Sequence, residues 1–237
     1  MAGFSKTGVP GLGILMAPLM ADVFPARASV GALTPMLLCG DFFAVRYYRR
    51  HAQWKILIRL IPWVAVGFAL GYVALRVLND VQLGAFLGAM ILALIAIQIV
   101  KQRGGEWLEE HLPRKWWFSA SMGVLAGFTT MVGNVAGPIT GLYFLSMGFD
   151  KHSFMGTSAW FFLMVNAAKI PFYLQMGIVN GHSLLFNLKM LPLILAGVAA
   201  GVFTFKRISQ KWFDRTVLGL AALAAVRLLV KSILESR

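Results

Sequence analysis

The sequence predicts an all-α polytopic membrane protein of two inverted repeats, each a broken or re-entrant hairpin plus three transmembrane helices, with about 7–8 membrane segments in total. Three observations lead there. The 237 residues are 59% hydrophobic and 13% charged, roughly half the charge of a soluble domain. The apolar residues form blocks long enough to cross a bilayer. The chain also matches itself at a nearly constant spacing.

A hydrocarbon core about 30 Å thick needs roughly 20 apolar residues per helix. Residues 8–20 are apolar but too short to span, and no cleavable leader pattern precedes them. The first candidate span is 28–45, which contains one acid, Asp41; the second is 60–75, bracketed by Arg59 and Arg76. Residues 81–100 form the third, free of charge from end to end. Residues 116–149 are 34 uncharged positions, too long for one simple span and interrupted by Gly133-Asn134-Val135-Ala136-Gly137-Pro138. Candidate spans 152–168, 190–205 and 216–230 complete the set.

Positive-inside counting orients these blocks. The connections 46–59, 101–115 and 206–215 hold more than half of the 22 Lys and Arg residues, which places them in the cytoplasm. Residues 174–183 carry no Lys or Arg and 76–80 are balanced, so these face outward. Two apolar blocks lie between the cytoplasmic 101–115 loop and the outer 174–183 loop, where only an odd number of crossings fits. Residues 116–149 therefore read as a hairpin that enters and leaves on one side, with its Gly/Asn/Pro break at the tip. Non-helical backbone at membrane depth is tolerated only where it is buried in protein or lines a polar cavity. The tip is thus a candidate site.

The internal repeat is an ordered series. Residues 2–7 match 126–131 at an offset of 124; Gly31 matches Gly156 and Asp41 matches Asn166 at 125; Pro62, Gly67 and Gly71 match Pro192, Gly197 and Gly201 at 130. The expected organisation is a first repeat over 1–101, a cytoplasmic linker over 102–115 and a second repeat over 116–237. Three crossings plus a hairpin invert one half relative to the other. The first repeat lacks a counterpart of 116–125, so either half a hairpin suffices or the true start lies upstream of Met1.

These residues carry a family resemblance. Gly3-Phe4-Ser5-Lys6-Thr7-Gly8 with Gly11, Gly13 and Pro18, then Leu33-Thr34-Pro35, Gly40-Asp41 and Arg46 to His51, resembles the first half of the sulfite exporter TauE/SafE family. The second half is similar to the same family through residues 126–131, Asn134 to Pro138, Phe154 to Trp160, Asn166 to Lys169, and Pro171-Phe172-Tyr173. The resemblance implies an inner-membrane permease for a small, often sulfur-containing anion such as sulfite or a sulfonate.

The candidate substrate-binding residues are Lys6, Gly11, Gly13, Asn134, Gly137, Thr140, Asn166 and Lys169. Lys6 sits in the glycine-rich start, where its ammonium, exposed backbone N–H groups and the positive end of the next short helix suit an anion. The second tip offers Asn134, Gly137 and Thr140, with Pro138 suited to begin a helix. Lys169 lies three residues after Asn166 and shares its helical face; its ammonium either meets an anion or snorkels to the outer interface. Asp41 is the coupling or proton candidate, with pairing to Arg46 or Arg49 near the interface as the alternative placement. Gly67, Gly71, Gly197 and Gly201 read as close helix packing.

Other chemistries find little support. A binder of nucleic acid needs basic residues on a water-facing surface, whereas the +13 charge falls in short clusters between apolar runs. The single cysteine, Cys39, and four dispersed histidines offer no metal-ligand spacing, so no cofactor or metal is expected. GxxxxGK[ST], HExxH and GxSxG patterns are absent, which disfavours ATP-driven action and an intramembrane enzyme. The expected partners are the bilayer and a small anion, with a homo-oligomer left open. A secondary transporter in the cell membrane is the leading expectation, and a passive anion channel is the rival.

Overall fold

A computed structural model describes residues 1–7, 13–111, 113 and 115–204, together with residues 223, 226, 230 and 234. Regular structure among the described residues is entirely helical. Its elements are α1 (Ala2–Thr7), α2 (Gly13–Val23), α3 (Ala26–Tyr48) with a 3-10 turn at Arg49–His51, α4 (Trp54–Val77), α5 (Asp80–His111), α6 (Trp116–Gly133), α7 (Gly137–Ser146), α8 (Lys151–Gln175) and α9 (Gly181–Thr204). Among the described residues, four stretches are long and apolar enough to cross a membrane: Ala26–His51, Trp54–Val77, Asp80–Val100 and Gly181–Phe203.

The predicted spans appear as longer helices. The apolar block 81–100 continues as helix to His111, through most of the predicted 102–115 linker, because charge ends an apolar span without ending a helix. Likewise α8 continues past Lys169 and Pro171 to Gln175, and α9 starts at Gly181 rather than near 190. The 206–215 loop lies outside the described residues, as does most of the 216–230 span.

The long block 116–149 breaks where the Gly/Asn/Pro run predicts. Helix α6 ends with Asn134 in the left-handed region at φ 58°. That conformation suits asparagine better than most side chains, and it releases the chain into Val135 and Ala136 before α7 begins, with Pro138 in the first turn. Both α6 and α7 are packed within the bundle, and the bend itself is buried: Val135 and Ala136 have 1% and 0% exposure.

Close backbone packing ties the helices together, and its pattern is reciprocal. A Cβ on Gly67 would strike the Val124 carbonyl, and one on Gly127 the Val64 carbonyl, locking α4 onto α6. One on Gly3 would strike the Ile194 carbonyl, while Gly197 faces Phe4, locking α1 onto α9. At one end of the bundle Gly31 meets Ile178, and at the other Gly156 meets His51. Tyr48 donates to the Thr7 carbonyl at 3.1 Å and Tyr173 to the Met131 carbonyl at 2.5 Å. The two tyrosines lie 125 positions apart and their two acceptors 124 apart, the spacing at which the sequence matches itself.

Candidate functional site

Where α1, α2, α3, α6, α7 and α8 converge, the helices enclose a cavity of about 90 Å³. Solutes of drug size need roughly 300–1,000 Å³, so this space suits a small ion or molecule. Its wall includes Lys6, Gly13, Asp41, Asn134, Gly137, Thr140 and Asn166. Six of the eight residues expected to bind substrate, and the coupling candidate Asp41, thus meet on one surface. Gly11 lies outside the described residues.

The two wall glycines differ from the packing ones. A Cβ on Gly13 or Gly137 would meet nothing within 4 Å. Gly137 opens the short helix α7, so the positive end of that helix borders the cavity. Thr140 also lies on the wall, but its hydroxyl donates to the Ala136 and Gly137 carbonyls at 3.1 Å, so it must turn to serve a ligand.

Asp41 has no exposed surface. Its carboxylate pairs with the Lys6 ammonium at 2.8 Å and accepts from the Asn166 amide at 2.5 Å. The alternative pairing with Arg46 or Arg49 does not form. The Lys6 ammonium also rests 3.9 Å from the centre of the Phe162 ring, which stabilises a cation through the ring quadrupole.

Lys169 is fully buried, so it does not snorkel. It stands behind the cavity wall rather than on it. Its ammonium donates to the Thr130 carbonyl and hydroxyl, both at 3.1 Å, and to the Asn134 side-chain oxygen. Three acceptors use all three N–H bonds of an ammonium. Asn134 in turn accepts from Thr34 at 3.1 Å and donates to the Val30 carbonyl at 3.1 Å. Lys169 therefore fastens the α6–α7 break to α8, and Asn134 fastens it to α3.

Sequence reasoning missed several members of this site. Thr130 could have been found, because the 124-residue offset in the sequence sets it against Lys6. Phe162 stands one helical turn before Asn166 and so shares its face. Phe154, Met155 and Ser158 complete the α8 wall. Trp160, on the same helix, is not part of this wall and packs against Trp54 at 5.0 Å between ring centres.

A family model described as "Sulfite exporter TauE/SafE" matches residues 1–228. No curated protein and no solved structure gives a match.

Proposed function

The chain belongs to the sulfite exporter TauE/SafE family, and from that premise we propose that it is a secondary transporter of a small, sulfur-containing anion such as sulfite or a sulfonate. The observation that carries this reading is the Lys6 ammonium on the wall of a small cavity that the N-terminus of α7 borders. Buried cations and helix dipoles together favour an anion over a neutral solute or a cation. The nearby lining of Phe154, Met155 and Phe162 leaves room for a short organic part on the anion.

The architecture proposed is a pair of inverted repeats whose broken hairpins, α1–α2 and α6–α7, face each other across the site. The reciprocal contacts support it. Gly3 and Gly127, Gly31 and Gly156, and Tyr48 and Tyr173 each meet partners that are themselves repeat mates or their neighbours. Such repeats transport by rocking against one another around a fixed midplane site. The basic end at Arg46, Arg49 and Arg50 is assigned to the cytoplasm of a cell inner membrane, and Asp41 is the group placed to carry a coupling proton. The chain acts as a carrier, without enzymatic chemistry of its own.

Sulfite flux into proteoliposomes tests the reading. Wild-type protein should give saturable uptake, and Lys6→Ala should reduce it at least tenfold while the protein stays folded. Equal flux in both would remove the site assignment. Thermal-shift screening against sulfite, thiosulfate, sulfoacetate, taurine and carboxylates identifies the substrate.

A further inference from the structure

We propose that Asp41 is a tethered stand-in for the substrate anion: its carboxylate holds Lys6 while the cavity is empty, and the incoming anion takes its place on the ammonium. This rests on the reading of the cavity as an anion site and assigns different tasks to its two lysines.

Lys169 cannot be the primary ligand. Its three N–H bonds are engaged by Thr130 and Asn134, and it lies off the cavity wall. Lys6 is the opposite case. Its side chain is 13% exposed, it lies on the wall, and its ammonium forms an ion pair there with the Asp41 carboxylate at 2.8 Å. An anion entering the cavity meets an ammonium already holding an anionic group of the same kind.

The surroundings of Asp41 make the exchange chemically balanced. From α1 it faces Lys6, from α8 the neutral Asn166, and further back Lys169. The elements across the cavity contribute the neutral Thr130, Asn134 and Thr140. On the wall itself Lys6 and Asp41 are one ammonium and one carboxylate, a neutral pair; an arriving monoanion adds one negative charge, which is offset when Asp41, released from Lys6, accepts a proton from solvent. The Asn166 hydrogen bond keeps the freed carboxylate in place, because it engages the oxygen that Lys6 does not.

The test removes the stand-in. Asp41→Asn leaves Lys6 without its anion, so the purified variant should be less thermally stable and should regain stability with chloride, sulfite or methanesulfonate. The expected anion-dependent rise in melting temperature is at least twice that of the wild type. The double variant Lys6→Met/Asp41→Asn lacks both charges and should fold without any such response. An Asp41→Asn response no larger than that of the wild type overturns the proposal. So does an equal response in the double variant, or an Asp41→Asn protein that cannot be recovered in any of the three anions while the double variant folds. Flux is scored separately: a wild type that transports none of these anions removes the transport reading, while the melting data alone decide the role of Asp41.

Discussion

The amide of Asn166 donates a 2.5 Å hydrogen bond to the carboxylate of Asp41, its counterpart 125 positions earlier. Two positions that match in the sequence therefore touch in the buried interior, one an acid and one an amide. A hydrogen bond to a charged group contributes about 1.5–3 kcal/mol. Asn166→Leu should lower unfolding stability by about that amount, measured by thermal or denaturant melting in detergent. It should also weaken anion binding, because the carboxylate beside Lys6 loses its anchor.

The two lysines should separate by phenotype. Lys6→Ala removes a cavity-wall ammonium and is expected to lower anion affinity at least tenfold. Lys169→Ala withdraws the donors from Thr130 and Asn134 and leaves a void, a loss of about 2–5 kcal/mol. Its signature is a lower melting temperature and a loosened α6–α7 break, read by hydrogen exchange at residues 130–136. Lys169 is then a positioning residue. Equal effects on stability and affinity at both positions would contradict the division.

Glycines should divide in the same way. Gly67→Val or Gly127→Val sets a side chain against a backbone carbonyl of the facing helix, so these variants should fold poorly, with markedly reduced yield of monodisperse protein. Gly137→Ala meets open space and should leave the melting temperature within about 1 °C, since a substitution without a steric or polar clash usually changes stability by less than 0.5 kcal/mol. The added methyl enters the cavity and should raise KM.

Asp150 caps α8 by accepting from the backbone N–H groups of His152 and Ser153. Hydrogen bonding from Ser153, followed by His152, holds its carboxyl below the usual value of 3.8. A depressed carboxyl stabilises the fold above its unfolded value and loses that contribution as pH falls through the folded value. Asp150→Ala should therefore melt below wild type at pH 6–8, and the gap should close below about pH 4.

Much of the site was legible because its signals are local. The Gly133 to Pro138 break follows from an apolar block too long for one helix, and Asp41 and Lys169 stand out as charges in apolar runs. The pairing of Asp41 with Lys6 rather than Arg46 was not legible, since it depends on α1 lying beside α3. That the Lys169 ammonium meets Thr130 and Asn134 is not legible for the same reason, since these acceptors lie 39 and 35 residues away. Helix ends were read short at Lys169 and Lys189 because a charge stops an apolar count while the backbone continues.

Counterflow tests the central claim most directly. Proteoliposomes preloaded with unlabelled sulfite are diluted into a trace of labelled sulfite. A carrier whose substrate site includes Lys6 predicts transient accumulation of label above equilibrium, saturable with internal sulfite and absent in Lys6→Ala. Simple equilibration of label in the wild type, or overshoot that persists in Lys6→Ala, would contradict it.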